Sequence, residues 1–196
     1  MRVFITVLVL IFNLQSWTKA DDIRDFQIEG MSIGDNLLNH TNTIGITVKD
    51  IKSYKLSFFP KSKKFAGISF KDKGNFKTFE AVQFTIDPKN FKIYDIGGKI
   101  RKPFKNNLSA CYKKMDTIFD EIKPLFPNAK IKIGNEEKHP YDKTGKSLTK
   151  TYYLKLNTGD ITVRCTDWSN NIKIPDALIV SIRFKEFSNW INNEAY

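Results

Sequence analysis

The first half of the chain alternates apolar and polar residues in a pattern that predicts four antiparallel strands. Apolar residues fall on every second position at 53–58 and again at 66–70, which is the period of a strand with one buried face. Turn residues at 60–64 join these two runs and predict a hairpin. Two further strands, predicted at 79–86 and 91–100, follow the turns at 72–75 and 87–90.

Residues 107–123 change to the period of a helix. Pro124 and Pro127 cannot continue this helix, and Asn106 and Asn107 are candidate caps at its start. The apolar residues that recur here at spacings of three and four are Leu108, Cys111, Tyr112, Met115, Ile118, Phe119 and Ile122.

Alternation returns after this helix, and a polar loop is expected at 136–150. A short closing helix is expected around Phe187, Trp190 and Ile191. The remaining strands are predicted at 130–133, 151–156, 161–168 and 178–184. Because no linker divides residues 21–196, we expect a single α+β domain: a β-meander, a helix and further antiparallel strands, with one main helix packed on the sheet.

The first twenty residues predict export. Arg2 is followed by an apolar run from Val3 to Leu14, and small residues up to Ala20 suit cleavage. The run is short for a membrane span. We therefore expect residues 1–20 to be a signal peptide and the mature protein to be soluble, periplasmic in a bacterium and secreted otherwise. An N-terminal core strand or a retained anchor remains an alternative.

Export to an oxidising compartment would allow the two cysteines to form a disulfide. Cys111 lies on the apolar stripe of the predicted helix, and Cys165 lies on the inward face of the strand at 161–168. In an oxidising compartment we expect a disulfide between them. The alternative is a pair of buried free thiols. A catalytic thiol is less favoured, because neither cysteine has a histidine nearby in the sequence.

The segment Phe26–Leu38 carries a resemblance to known proteins. Following a signal peptide, it resembles the opening of small uncharacterised exported proteins of marine bacteria. The turn from Gly30 to Gly34 ahead of an antiparallel sheet also resembles BamE-type periplasmic modules, which implies a role in binding or assembly. A BamE-type lipoprotein carries a lipidated cysteine after its signal, and this sequence has none there.

Charge is concentrated in one predicted hairpin. The whole chain has a formal net charge of +11, and residues 52–77 contain a single acidic residue, Asp72. The eight lysines of this segment are Lys52, Lys55, Lys61, Lys63, Lys64, Lys71, Lys73 and Lys77. Phe59 and Phe65 fall out of phase with the alternation, so we expect exposed rings there.

This segment predicts a basic hairpin that binds an anionic partner in a salt-dependent manner. The candidate partners are an anionic lipid surface, an acidic polysaccharide or an acidic protein, and nucleic acid is less favoured. The alternative is that the rings fill the core while the lysines solvate the outer face.

No catalytic, metal or cofactor motif assembles along the chain. His40 and His139 are its only histidines, and they do not have a metal-ligand spacing. The residues at 144–147 imitate the end of a phosphate-binding loop, but the preceding glycine is absent, which favours a plain turn. The pair Gly97 and Gly98 predicts a bulge or a close backbone approach.

The leading hypothesis is therefore a non-enzymatic binding or assembly module. One alternative is a secreted hydrolase whose carboxylates, Asp160 or Asp167, meet only in three dimensions. Another is an enzyme inhibitor that uses Phe59 or Phe65 as an exposed anchor.

Overall fold

The computed structural model describes residues 22–104 and 107–195, and a nine-stranded antiparallel sheet organises them. The strands are β1 (Ser57–Phe59), β2 (Ser62–Lys71), β3 (Ala81–Ile86), β4 (Ile93–Ile100), β5 (Lys130–Ile133), β6 (Glu137–Lys138), β7 (Leu148–Lys155), β8 (Gly159–Asp167) and β9 (Ala177–Phe184). The α-helices are α1 (Thr41–Ile44), α2 (Val48–Ser53), α3 (Leu108–Ile122) and α4 (Lys185–Asn193). The predicted α+β fold is confirmed.

The last strand in the sequence, β9, lies in the middle of the sheet. The order of the strands is β1-β2-β3-β4-β9-β8-β7-β5, and β6 also pairs with β7. The first four strands form the predicted meander, and the chain then crosses through α3 to build β5 to β8. Strand β9 joins the two halves by pairing with β4 on one side and β8 on the other. One continuous core can therefore form only after β9 is in place.

Helix α3 covers one face of the sheet, as its apolar stripe predicts. Asn107 caps the helix, since its side chain accepts a hydrogen bond from the Ala110 N–H at 3.1 Å. The buried residues of the stripe are Cys111, Met115, Ile118, Phe119 and Ile122. They pack with the inward residues of the central strands in the main core.

The predicted disulfide joins this helix to the sheet. Cys111 and Cys165 are bonded, and their Cα atoms lie 6.0 Å apart, within the usual span of a disulfide. Cys165 lies in β8, and both residues are buried. The disulfide therefore fixes α3 over the inner strands of the sheet.

Two segments differ from the prediction. The strand expected from residue 53 begins only at Ser57, because Thr47 and Asp50 form a capping box that starts α2 just before it. Tyr54 and Phe58 consequently stay exposed, at 45% and 46%. The polar loop expected at 136–150 also contains β6 and the start of β7. Both differences arise at the margins of the sheet, where strands are short.

The close approach predicted at Gly98 is observed. A Cβ atom built there would lie 2.5 Å from the ring of Phe79, whereas at Gly67 the nearest atom would be 3.7 Å away. We expect Gly98→Ala to lower the free energy of unfolding by about 1–3 kcal/mol, because the ring must move out of a packed site. Urea denaturation measures this change, with Gly67→Ala as the matched strand control. Equal losses for both variants would contradict the account.

The predicted signal peptide lies outside the residues that the structure describes. Within 22–104 and 107–195, none of the helices combines the length and the apolar character that crossing a membrane requires.

Candidate functional site

The sheet has two chemically different faces. The face under α3 is apolar, and residues on the opposite face are largely polar; we call this second surface the polar face. Residues paired across neighbouring strands share a face, so the strand register identifies its members. Its cations on β4, β5, β7, β8 and β9 are Lys99, Lys130, Lys132, Lys155, Arg164 and Arg183.

One of these cations, Arg183, is neutralised within the protein. Its Nε lies 3.1 Å from Asp95 Oδ1 and 3.8 Å from Asp160 Oδ2. Helix α4 covers the group: the Phe187 ring lies 5.8 Å from the guanidinium carbon, and the Ser188 hydroxyl donates to Asp160 at 2.8 Å. Burial opposes its charge, but the two carboxylates outweigh burial and raise the pKa of Arg183. This end of the polar face is a closed structural ion cluster.

Two neighbouring cations, Lys99 and Arg164, make no such direct ion pair, although the charge of Asp95 partly offsets the lowering of the pKa of each. Each is paired across the sheet with Ile179, which lies between them on β9. Within the described part of the chain, no carboxylate lies within 4.0 Å of either side chain. The Nε atom of Arg164 is buried and has no hydrogen-bond partner among the described residues. A buried donor without a partner costs free energy, so this pair needs an explanation.

Burial and neighbouring cations raise the energy of the charged forms of both Lys99 and Arg164. Burial, together with the charges of Arg101 and Arg164, lowers the pKa of Lys99 to about 8. Burial and the charge of Arg183 lower the pKa of Arg164. Like charges held this close in a partly desolvated place favour a bound anion.

An open cleft of about 460 Å³ borders these cations, and we call it the Trp168 cleft. It lies where β3 and β9 begin and where β4 and β8 end. Its lining residues are Glu80, Arg101, Lys102, Trp168, Ser169, Asn170, Ile172, Ile174, Pro175 and Asp176. The hydroxyl oxygen of Ser169 is buried there and has no hydrogen-bond partner among the described residues. Lys99 and Arg164 are not among the lining residues, but Arg101 lines the cleft and follows Lys99 by two residues at the end of β4.

An aromatic cluster adjoins the cleft. The Trp168 ring lies 4.3 Å from the His139 ring and 6.0 Å, edge-on, from Tyr141, whose side chain is 68% exposed. Burial and the charge of Arg164 lower the pKa of His139. Asp142 fixes the loop behind them by accepting hydrogen bonds at 2.7 Å from the hydroxyls of Thr144 and Ser147. The loop is thus an ordered part of the site, and His139 packs on Trp168.

The eight lysines of the predicted hairpin do not form one cluster. Three lie at the turn between β1 and β2, three lie at the other end of β2 or beyond it, and two lie on α2 or just after it. The three groups are Lys61, Lys63 and Lys64; Lys71, Lys73 and Lys77; and Lys52 and Lys55. At about 3.3 Å per residue, the first two groups are roughly 20–30 Å apart. One lysine, Lys64, also faces Glu186, with 3.4 Å between its Nζ and the carboxylate.

Lys71 connects this segment to the polar face. It is paired with Ala81, which in turn is paired with Lys99. The row continues through Ile179 to Arg164. The hairpin therefore contributes one lysine to the row that holds the unpaired cations.

The expected exposure of Phe65 is wrong, and Phe59 is only partly exposed. The Phe65 side chain is 1% exposed and lies 4.9 Å from the ring of Trp190 and 5.4 Å from that of Phe187. Phe59 packs on Trp190 at the same distance of 4.9 Å. Both rings are covered because α4, distant in sequence, folds over this end of the polar face. The exposed rings within residues 52–77 are Tyr54 and Phe58, so the anchor expected for an inhibitor is not at Phe65 and is only partly exposed at Phe59.

The carboxylates considered for a hydrolase do not meet each other. Asp160 and Asp167 lie on opposite faces of β8, because their numbers differ by an odd count in a regularly paired strand. Asp160 belongs to the Arg183 cluster. Burial, with the charges of Asp176 and Glu136, raises the pKa of Asp167. Within the described ranges, no group of three or more potential metal ligands is present.

Comparisons with protein families, curated proteins and solved structures find no match for this chain. Function must therefore be inferred from the geometry of the polar face. The residues that sequence reasoning missed there are Lys99 and Arg164. Their only signal was an outward-facing cation in the middle of a strand, a pattern that solvated strands share.

Proposed function

We propose that this protein is a non-enzymatic binding module whose ligand is an anion held by Lys99 and Arg164 on the polar face. The observation that carries this proposal is the buried Nε of Arg164, which has no hydrogen-bond partner among the described residues, beside a second cation, Lys99, that has no carboxylate within 4.0 Å among them. An oxyanion accepts hydrogen bonds from guanidinium and ammonium groups together. Binding would supply the acceptor and the negative charge that the protein itself does not provide.

The contrast with Arg183 supports this assignment. On the same face, Arg183 has two carboxylates and a covering helix. The fold is therefore able to neutralise a cation whose role is structural, and it does not do so to the same degree for Lys99 and Arg164. Leaving Lys99 and Arg164 unpaired costs stability, and such costs are retained mainly where function uses the unpaired groups.

The lysines of residues 52–77 have a different role in this proposal. Lys71 extends the binding row, while Lys61, Lys63 and Lys64 contribute to the long-range positive field. The whole chain has a formal net charge of +11, and +9 remains once Arg2 and Lys19 of the proposed signal peptide are removed; this field attracts anions before contact and is screened by salt. The hairpin is thus a steering element, and the contact site is on the sheet.

We further propose that binding takes place outside the cytoplasm. The disulfide between Cys111 and Cys165 is typical of oxidising compartments, and the first twenty residues have the composition of a signal peptide. The compartment would be the periplasm in a bacterium and the extracellular space otherwise.

A calorimetric titration with tripolyphosphate tests the anion site, because this probe supplies charge without any ring. We expect Lys99→Gln and Arg164→Gln each to weaken binding about tenfold or more, a loss of about 1.4 kcal/mol. Affinity should also fall steeply between low salt and about 0.5 M salt. Lys113→Gln, an exposed lysine on α3, is the charge-matched control and should bind normally. An affinity for tripolyphosphate that is unchanged in Arg164→Gln would contradict the proposal.

Lys99 also predicts a pH dependence of stability. Its pKa is about 8 in the folded protein and about 10.4 in an unfolded chain, so the unfolded state binds more protons between these values. The free energy of unfolding should therefore rise with pH across this window, relative to Lys99→Met, by on the order of 1–2 kcal/mol. Chemical denaturation of both proteins at several pH values between about 7.5 and 10, which cover most of this window, measures the difference in their free energies of unfolding. A constant difference between the two proteins would count against a buried, charged Lys99.

A further inference from the structure

We infer that the ligand is an acidic oligosaccharide, and this inference rests on the proposed anion site. Its carboxylate or sulfate would lie at Lys99, Arg101 and Arg164, and the adjoining sugar ring would occupy the Trp168 cleft. Arg101 lines the cleft and follows Lys99 by two residues at the end of β4, about 7 Å along an extended chain, so a ligand of several sugar rings can reach both.

The apolar part of the cleft suits the C–H face of a sugar ring. Trp168 provides a flat ring, and Ile172, Ile174 and Pro175 extend the apolar wall. The cleft volume of about 460 Å³ lies within the roughly 300–1,000 Å³ typical of small-ligand sites. An inorganic anion would leave this wall unused, so the cleft indicates a ligand with a ring attached to its charge.

The polar part of the cleft distinguishes sugar hydroxyls from nucleic acid. Among the described residues, Glu80 accepts hydrogen bonds from the N–H groups of Arg101 and Lys102 only through Oε1, at 3.3 Å and 3.0 Å, so we expect its second oxygen to accept from a ligand. Asp176 also lines the cleft, where it positions Trp168 by accepting a hydrogen bond from the Trp168 N–H at 2.8 Å. Carboxylates form strong hydrogen bonds with hydroxyl donors and repel phosphates. A chain with hydroxyls between well-spaced charges therefore fits better than a polyphosphate backbone.

Tyr141 offers a second ring contact beyond the cleft. Its side chain is 68% exposed, yet its ring meets Trp168 edge-on at 6.0 Å. The hydrogen bonds of Asp142 hold the loop that carries it, so the ring is presented on an ordered support. Two aromatic side chains in succession beside a row of cations suit an extended acidic chain of several sugars.

Calorimetric titrations test this inference with four probes: a galacturonate hexamer, a sulfated oligosaccharide of similar length, a neutral glucose hexamer and a thymidine oligonucleotide of matched charge. We expect at least one acidic oligosaccharide to bind about tenfold or more tightly than the neutral hexamer and the oligonucleotide. Trp168→Ala and Tyr141→Ala should each weaken that binding, by about tenfold and about threefold, without changing the affinity for tripolyphosphate. Tyr54→Ala, another exposed tyrosine, is the matched control. Trp168→Phe serves if Trp168→Ala does not fold.

The possible outcomes distinguish failure of the oligosaccharide inference from failure of the proposed anion site. If tripolyphosphate binding depends on Arg164 but neither aromatic variant affects oligosaccharide binding, the sugar assignment is wrong and the anion site stands. If the oligonucleotide binds more tightly than both acidic oligosaccharides, the ligand class is wrong in favour of nucleic acid. If no anionic probe binds at all, both statements fail.

Discussion

Replacing Cys111 and Cys165 together by alanine is expected to lower the free energy of unfolding by about 4 kcal/mol. The disulfide closes a loop with a sequence separation of 54 residues, and on the chain-entropy account a cross-link of this length removes that much conformational freedom from the unfolded chain. The bond joins α3 to β8, an inner strand of the sheet. Its loss should therefore destabilise the whole sheet and not only the helix.

Urea denaturation of the wild type and of the double variant measures this loss. A reducing agent should lower the stability of the wild type to nearly that of the double variant, and it should leave the double variant unchanged. A loss below about 1 kcal/mol, or an effect of reduction on the double variant, would contradict the account. Two alkylatable thiols in the native, unreduced protein would show that the bond does not form.

Arg164→Met is expected to stabilise the ligand-free protein by about 1–2 kcal/mol, while weakening tripolyphosphate binding by about tenfold or more. The substitution removes a partly buried charge whose Nε has no hydrogen-bond partner, and it relieves Lys99 of a neighbouring positive charge. Replacing a poorly compensated charge by an apolar side chain of similar length commonly stabilises a protein. A gain in stability together with a loss of binding is the signature of a functional site.

Arg183→Met, on the same face of the sheet, is expected to lower the free energy of unfolding instead of raising it. Its removal would leave Asp95 and Asp160 without their cation, so we expect a loss of about 3–5 kcal/mol. Thermal and urea unfolding of both variants give the comparison. If Arg164→Met destabilises the protein as Arg183→Met does, then Arg164 is a structural residue and the proposed site is wrong.

Local periodicity in the sequence was sufficient to predict most individual elements. The three- and four-residue spacing from Leu108 to Ile122 identified α3 because a helix turns every 3.6 residues. Alternation identified β8 and β9 because each has one face in the core. The same two periods placed Cys111 and Cys165 on inward positions, which is why their pairing could be predicted.

The binding face could not be predicted because it depends on strand order. Lys99 and Arg164 become neighbours only because β9 inserts between β4 and β8, and no local pattern encodes that insertion. Outward-facing cations also look the same in sequence whether they are solvated or buried. Phe65 was misplaced for a related reason, since the helix that covers it lies more than a hundred residues further along the chain.

The most direct test of the anion site is the change in melting temperature that tripolyphosphate causes in the wild type and in Arg164→Met. At a ligand concentration about 100 times the dissociation constant, binding should stabilise the wild type by about 2.7 kcal/mol and raise its Tm by about 5–10 °C. Arg164→Met should melt at a higher temperature than the wild type without ligand, and a tenfold loss of affinity should limit its stabilisation by the ligand to about 1.4 kcal/mol, roughly half that of the wild type. Equal shifts in the two proteins would contradict the assignment of Arg164 to the binding site.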